Sequence, residues 1–220
     1  MIIDTQKFRH VSFDLWLTLI RSHPEFKGQR NLLFHRFFET LDLHETAGAI
    51  RKFDVLSNEN CEKSGIHIAA TDIYKLILGE LKMDVNLFQQ SDFDRFELAS
   101  EKLFLEYPPV LIFPEINELM DQLNDEGKTS SILSNTAFIK GSSLRQLMQF
   151  YNLEHLLAFQ IYSDETGFSK PNMKMFEEVF RQKQNLTHDI TKEQILHVGD
   201  NRIADYEGAM RFGFGAHLLN

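Results

Sequence analysis

An aspartate and a threonine four residues apart carry the first chemical signal in this sequence. They are Asp14 and Thr18, in the apolar segment Val11-Ser12-Phe13-Asp14-Leu15-Trp16-Leu17-Thr18-Leu19. The segment predicts a β-strand that ends in a carboxylate. In open α/β sheets the ligand crevice lies just outside the carboxyl ends of the strands, so this aspartate is predicted to lie at a site for chemistry.

Three more groups of polar residues follow predicted strands later in the chain. They are Ser134 with Asn135, then Lys170, then Asp200 with Asp205. Each group taken singly has an ordinary interpretation as a turn or a helix cap. Their shared position at strand ends favours one common site instead.

The C-terminal half of the chain alternates short apolar segments with amphipathic ones. Strands are predicted at 129–135, 159–163, 194–198 and 215–219, and helices after Pro114 up to Gly127 and at 139–150, 172–184 and 204–212. Strands separated by helices of this length indicate βαβ units and a parallel sheet. The predicted fold class is therefore α/β.

Residues 21–105 follow a different pattern, in which helical periodicity occurs without a clear strand. Two amphipathic helices are marked by apolar residues at helical spacing. These residues are Leu33, Phe34, Phe37, Phe38 and Leu41, and then Ile73, Tyr74, Ile77, Leu78 and Leu81. The helical stretch is predicted to end at Tyr107-Pro108-Pro109, because a continuing helix does not tolerate two prolines. We therefore predict a core of residues 1–20 and 106–220 with a helical insertion at 21–105.

Composition narrows the classes of function. The 220 residues carry a net charge of −9, which argues against nucleic-acid binding, since that affinity depends on Lys and Arg. The single cysteine, Cys61, cannot form an internal disulfide and fits a reducing compartment. Without a signal segment or an apolar run long enough to span a bilayer, we expect a cytoplasmic protein that does not enter membranes.

The order of the four polar groups resembles that of the haloacid dehalogenase superfamily, the aspartate-nucleophile phosphatases and their relatives. The resemblance runs from near the N-terminus to residue 205, and the helical insertion lies where many members carry a helical cap. It implies a Rossmann-like parallel sheet flanked by helices, with an inserted α-helical cap domain. It also implies hydrolysis of a small phosphorylated metabolite through an aspartyl-phosphate intermediate, with Mg²⁺ as cofactor.

The resemblance assigns a role to each matching position. Asp14 becomes the nucleophile and a metal ligand, and the backbone carbonyl of Trp16 becomes a further ligand. Asp200 and Asp205 would bind or orient Mg²⁺, and Lys170 would neutralise the nucleophile and the phosphate. The remaining positions, Thr18, Ser134 and Asn135, would hold phosphate oxygens.

Two positions depart from the pattern of the resembling phosphatases. Trp16 stands where these enzymes usually carry an aspartate that serves as general acid and then as base. An indole N–H donates a hydrogen bond but does not exchange a proton near neutral pH. Leu17 stands where many relatives have a small or acidic residue, which predicts an altered turn beside the nucleophile.

Three functions remain open from the sequence. The leading one is a Mg²⁺-dependent phosphatase whose proton-transfer step is handicapped or unusual. The second is a 2-haloacid dehalogenase, which also has an aromatic residue two positions after the nucleophile but works without Mg²⁺. The third is a non-catalytic protein that binds phosphorylated ligands or a protein partner. The substrate and the oligomeric state are not readable from the chain.

Overall fold

The computed structural model describes residues 4–219. Residues 1–3 of the predicted core segment, and residue 220, lie outside the described residues. The strands are β1 (His10–Phe13), β2 (Ile20–Arg21), β3 (Val110–Leu111), β4 (Thr129–Ser134), β5 (Leu157–Tyr162), β6 (Ile195–Gly199) and β7 (Gly215–Leu218). The α-helices are α1 (Phe26–Phe38), α2 (Leu43–Ser64), α3 (Ala70–Glu80), α4 (Gln90–Glu106), α5 (Ile116–Asp125), α6 (Gly141–Phe150), α7 (Ser163–Thr166), α8 (Met173–Leu186) and α9 (Gly208–Phe212).

Five strands form one parallel sheet in the order β5-β4-β1-β6-β7. β1 lies in the middle, and the chain first builds the sheet on one side of β1 and then crosses to the other side. The crevice of an open α/β sheet lies at such a switch point, beyond the carboxyl end of the central strand. The α/β parallel-sheet prediction is confirmed.

Helices cover both faces of this sheet. Neighbouring residues of a strand point to opposite faces, so each strand packs against helices on both sides. In β4, Ile132 packs into one apolar cluster with Met120 of α5. The next residue, Leu133, packs into a separate cluster with Met175 of α8. A parallel sheet buried on both faces needs apolar residues at consecutive positions, which explains the continuous apolar runs in the sequence.

Residues 26–106 hold four α-helices, α1 to α4, and the described chain has no named strand between β2 and β3. β2 and β3 pair in antiparallel fashion, so the chain enters and leaves this helical segment at adjacent points. The helices enclose their own aromatic core, which includes Phe34, Phe38 and Phe96. The helical character of the insertion agrees with the sequence analysis, whereas its status as a separate domain stays a prediction.

The details of this segment correct the sequence analysis in three places. α1 ends at Phe38, where Glu39 takes a left-handed conformation, so Leu41 lies beyond the helix and is 98% exposed. α3 likewise ends at Glu80, one residue before Leu81. The bounds of α2 do not follow from the sequence pattern, because its buried positions include small and polar residues such as Thr46 and Ser57, which give little apolar periodicity.

The predicted helix at 204–212 also begins earlier than expected. Residues Arg202–Glu207 form a π-helix that continues into α9. Within residues 4–219, no helix combines the length and the apolar character that a membrane crossing requires.

A fully buried histidine lies at the start of the central strand. The ring nitrogens of His10 lie 2.8 Å from Thr129 Oγ1 and 2.9 Å from Ser131 Oγ. Burial, together with the nearby Lys183 charge, lowers the pKa of His10 from 6.5 to about 3. The ring is therefore neutral in the folded protein over the whole range in which it would titrate in an unfolded chain.

We expect His10 to make folding stability fall with acidification between about pH 6.5 and pH 3. In this window the unfolded chain binds a proton that the folded chain does not, which costs about 1.4 kcal/mol per pH unit. Above pH 6.5 the effect vanishes. Chemical denaturation of wild type and His10→Leu from pH 7 to pH 4 measures it, since the difference between their unfolding free energies should shrink as pH falls. A difference that is constant with pH would contradict the assignment.

Candidate active site

The first acidic residue of the site extends the central strand. The backbone N–H of Asp14 donates to the carbonyl of Val198 in β6 at 2.8 Å, which fixes the residue immediately after β1. The chain then turns tightly, and Thr18 Oγ1 returns to within 3.0 Å of Asp14 Oδ2. The same hydroxyl lies 3.2 Å from Asp200 Oδ1, so one threonine joins two of the predicted acids.

The turn between these residues is strained at one position. Leu17 has a φ of 60°, a left-handed conformation that costs a residue with a Cβ about 1 kcal/mol or more. Its side chain is 64% exposed, so burial does not repay that strain. Leu17 is thus a leucine in a conformation that favours glycine, whereas the difference of this turn from that of the resembling phosphatases stays a prediction.

Lys170 joins the strand ends from the other side. Its Nζ lies 2.7 Å from Asp14 Oδ1, 2.6 Å from Asp205 Oδ1 and 2.7 Å from the carbonyl of Leu133. These three acceptors satisfy all three hydrogens of an ammonium group whose residue is only 1% exposed. Burial alone would lower the pKa of Lys170, but the two carboxylates outweigh burial and raise it.

Three carboxylates converge at this point. Asp14, Asp200 and Asp205 each offer an oxygen within 4.8 Å of the others. Burial and then repulsion from the other two acids raise the pKa of Asp200 to about 6. Burial also raises the pKa of Asp14, against the attraction of Lys170. For Asp205 burial acts in the same direction, but Lys170 and His197 outweigh it and keep the pKa below its ordinary value.

The donor set fits a hard divalent cation. Three ionised carboxylates beside one ammonium leave two uncompensated negative charges, which one divalent ion would neutralise. Carboxylate oxygens are the ligands that Mg²⁺ prefers. The Asp205 carboxylate lies close to the backbone of Gly199. A Cβ at position 199 would lie 2.2 Å from Asp205 Oδ2, so this approach requires glycine there.

The two predicted phosphate-binding residues after β4 have different surroundings. Ser134 is buried, and its hydroxyl lies 3.3 Å from the carbonyl of Asn135. The Asn135 amide accepts from the backbone N–H of Lys170 at 2.7 Å and donates to its carbonyl at 3.0 Å. Asn135 therefore holds the backbone of Lys170, and one hydrogen of its amide nitrogen is left for a ligand.

Trp16 lies in the turn after Asp14, half-buried against the main apolar cluster. Its backbone forms a bridge with Ile20 at the start of β2. Trp16 thus lies where the chain passes from the sheet to the helical segment, and its side chain is an indole at the position where the resembling phosphatases carry an acid.

The end of α2 contacts the loops that carry Lys170 and Asp200. Glu62 accepts a hydrogen bond from the Asn201 amide at 2.9 Å. The carbonyl of Gly65 accepts from the Ser169 backbone at 3.1 Å and from the Asn172 amide at 3.0 Å. The helical segment is therefore attached to the site loops as well as through β2 and β3.

The profile of the haloacid dehalogenase-like hydrolases matches residues 55–217, which is most of the chain. The chain belongs to the haloacid dehalogenase-like hydrolase family. The matched residues include Ser134, Asn135, Lys170, Asp200 and Asp205, whereas the turn from Asp14 to Thr18 precedes them.

One characterised relative aligns with most of this hydrolase. A glyceraldehyde 3-phosphate phosphatase of Methanothermobacter thermautotrophicus is 25% identical over 203 residues, which cover 84% of each chain.

Solved structures of the haloacid dehalogenase (HAD) group share the fold of this hydrolase. A HAD phosphatase of Thermococcus onnurineus has a TM-score of 0.69 at 18% identity, covering 97% of this chain and 86% of that one. A HAD hydrolase of Bacillus subtilis bound to magnesium has a TM-score of 0.68 at 18% identity, covering 97% and 89%. A 2-haloacid dehalogenase of Pseudomonas syringae pv. Tomato has a TM-score of 0.63 at 18% identity, covering 97% and 86%. At these identities the likeness concerns the fold.

The sequence analysis of this hydrolase missed polar residues that support the site. His197 in β6 lies 3.2 Å from Asp205 Oδ1, and the Asn201 backbone donates to Asp205 Oδ2 at 3.0 Å. A histidine inside the apolar strand Ile195–Gly199, three residues before Asp200, was the available signal. Asn201 gave a weaker one, since asparagine after a strand usually caps a helix, as it also does here.

Replacing one of the converging acids should separate cation binding from folding. We expect Asp200→Asn to be at least as stable as wild type without divalent cations, because the substitution relieves repulsion from Asp14 and Asp205. Wild type should gain about 2.7 kcal/mol at a Mg²⁺ concentration 100 times its Kd, and the variant should lose most of that gain. Thermal unfolding with and without Mg²⁺ measures both effects.

The matched control is Asp189→Asn, which removes an exposed aspartate that pairs with Arg9 outside the site. The control should keep the full response to Mg²⁺. If Asp200→Asn responded to Mg²⁺ as strongly as wild type, the cation would not bind at the three acids.

Proposed function

We propose that this hydrolase is a Mg²⁺-dependent phosphatase that forms an aspartyl-phosphate intermediate on Asp14. The observation that carries the proposal is the contact of Lys170 Nζ with Asp14 and Asp205, beside the Asp200 carboxylate. A carboxylate paired with a buried ammonium suits attack on an anionic phosphate, whose charge must be offset at close range, and the further acids would hold a cation that adds positive charge there. The alignment with a glyceraldehyde 3-phosphate phosphatase supports a small phosphorylated metabolite as substrate.

Each residue of the site would have a definite part in the reaction. A carboxylate oxygen of Asp14 attacks phosphorus, the bond from phosphorus to the leaving oxygen breaks, and that oxygen departs with the electron pair. Thr18, Ser134 and Asn135 would hold the phosphate oxygens, and Lys170 would neutralise Asp14 and the phosphate. Water then attacks the phosphorus of the acyl phosphate, which releases phosphate and restores Asp14. Dividing the displacement in this way replaces one difficult step with two easier ones.

Asp14, Asp200, Asp205 and the backbone carbonyl of Trp16 would hold the magnesium ion. When bound, Mg²⁺ would supply positive charge against the phosphate oxygens. The two uncompensated negative charges of the acid cluster support this assignment.

We also propose that residues 21–105 form a cap over a core of residues 1–20 and 106–220. The side-by-side entry and exit through β2 and β3 support this division. The contacts of Glu62 and Gly65 with the loops of Asp200 and Lys170 support a position of the cap beside the crevice.

A cytoplasmic location is part of the proposal, since Cys61 is free and buried.

One specific observation favours a second candidate, a 2-haloacid dehalogenase. Trp16 places an aromatic residue two positions after Asp14, as in that branch, and halide leaves as a stable anion without a proton. The convergence of Asp200 and Asp205 on Asp14 argues against this candidate, since a metal-free reaction has no use for a cluster of acids.

A substrate panel with and without Mg²⁺ separates the two candidates. Aryl, acyl, alkyl and triose phosphates and 2-chloroacids would be assayed for phosphate or chloride release, with Asp14→Asn as the inactive control. We expect phosphate release that requires Mg²⁺ and disappears in Asp14→Asn. Chloride release without Mg²⁺ would establish the dehalogenase instead, and no release from any substrate would overturn both.

Trp16 should set which phosphates react. Without a general acid, substrates whose leaving group departs as a poor anion lose on the order of 10²- to 10⁴-fold in rate. We expect Trp16→Asp to raise kcat/KM for alkyl phosphates by more than for aryl or acyl phosphates, because only alkyl leaving groups need the proton in the transition state.

Trp16→Asn is the matched control for this measurement. It removes the indole and has the size of aspartate, but it cannot transfer a proton. Equal gains in the Asp and Asn variants would show that removal of the indole, rather than the new acid, changes the rate.

A further inference from the structure

A row of buried polar side chains runs behind the acid cluster. Ser12 Oγ lies 3.1 Å from His197 Nδ1, and His197 Nε2 lies 3.2 Å from Asp205 Oδ1. Asp205 Oδ1 also accepts from Lys170 Nζ, which contacts Asp14. Ser12, His197, Asp205 and Lys170 are at most 2% exposed. The proposed reaction leaves Ser12 and His197 without a part.

The charges in this row determine the direction of its hydrogen bonds. Asp205 is ionised beside Lys170, and a carboxylate only accepts, so His197 must donate from Nε2. A neutral imidazole with its proton on Nε2 has an acceptor at Nδ1, and the Ser12 hydroxyl is there to donate to it. Ser12 and His197 are register partners on β1 and β6, so the sheet itself sets their separation.

Packing fixes the plane of the histidine ring. Phe176 of α8 meets the ring edge-on, with 5.5 Å between centroids and an interplanar angle of 88°. The ring therefore has its orientation set by an aromatic contact and its tautomer set by the Asp205 carboxylate.

Asp205 depends on this arrangement for its own orientation. Oδ1 accepts from Lys170 and His197, and Oδ2 accepts from the Asn201 backbone at 3.0 Å. Without His197, Oδ1 would keep Lys170 as its one donor while the Asn201 backbone holds Oδ2, and Lys170 would have a less firmly fixed partner opposite Asp14.

We propose that His197 is a positioning residue, which Asp205 holds in the Nε2–H tautomer while Ser12 donates to Nδ1, and which fixes Asp205 so that Lys170 points at Asp14. The proposal rests on the proposed phosphatase reaction for its kinetic test. Its spectroscopic test is independent of that reaction.

The spectroscopic test uses ¹⁵N-labelled protein at one neutral pH, without Mg²⁺. Long-range ¹H–¹⁵N correlation spectra identify which ring nitrogen carries the proton, and His197→Gln identifies the His197 signals by their loss. We expect the Nε2–H tautomer in wild type and also in Ser12→Ala, because the Asp205 carboxylate still accepts from Nε2 when the Ser12 hydroxyl is removed. A doubly protonated ring or the Nδ1–H tautomer in wild type would overturn the proposal.

The kinetic test compares His197→Leu with His197→Gln on an aryl phosphate at saturating Mg²⁺. We expect His197→Leu to lower kcat roughly 10- to 100-fold with KM nearly unchanged, as for loss of a hydrogen bond that orients a site residue. His197→Gln keeps an N–H donor and should recover most of that loss. Equal kcat in wild type and His197→Leu, or equal losses in the two variants, would overturn the proposal.

His10→Leu is the matched control, because His10 is equally buried in the sheet and hydrogen-bonded through both ring nitrogens, but to Thr129 and Ser131. This variant should lose stability and keep kcat. A fall in kcat as large as that of His197→Leu would mean that any disturbance of the sheet lowers kcat, and it would overturn the proposal. If wild type releases no phosphate from any ester, the proposed function fails, and the tautomer of His197 alone then decides this proposal.

Discussion

The contact of one ammonium group with two carboxylates is the interaction on which the site depends. Lys170, Asp14 and Asp205 are all buried, and each of these charges would be costly to bury alone. Mutual attraction and the Leu133 carbonyl offset that cost, and removal of one member would leave uncompensated buried charge. Lys170, Asp14 and Asp205 therefore stay together, because separating them would leave buried charges without a partner.

The sheet topology brings these charges together. Asp14 follows the central strand, Ser134 ends one neighbouring strand and Asn135 follows it, and Asp200 follows the other neighbour. Parallel strands point their carboxyl ends to one edge, so residues far apart in sequence share that edge. Asn135 then holds the Lys170 backbone in the same place. The residues around the site are polar as well, and their hydrogen bonds hold the site residues in a fixed orientation.

The turn after Asp14 holds the two residues that depart from the pattern of the resembling phosphatases. Trp16 and Leu17 follow the aspartate directly, one with an indole and the other with a left-handed backbone. Strain of this kind persists where the surrounding structure over-determines it, and here Asp14, Thr18 and the short β2–β3 pair fix both ends of the turn. The resulting site has Asp14 beside an acid cluster but no carboxylate two residues beyond Asp14.

The sequence by itself determined the alternation of strands and helices, the helical nature of the insertion and the residues at the strand ends. These features depend on local periodicity and on the chain order of polar residues, which a linear pattern records. The extent of α1, the existence of α2 as a single long helix and the pairing of β2 with β3 depended on contacts between distant residues. Only the tertiary structure placed His197 behind Asp205, attached Glu62 to Asn201 and turned the Asn135 amide toward the Lys170 backbone. Hydrogen bonds of this kind join residues that have no fixed spacing along the chain, so the folded arrangement alone decides them.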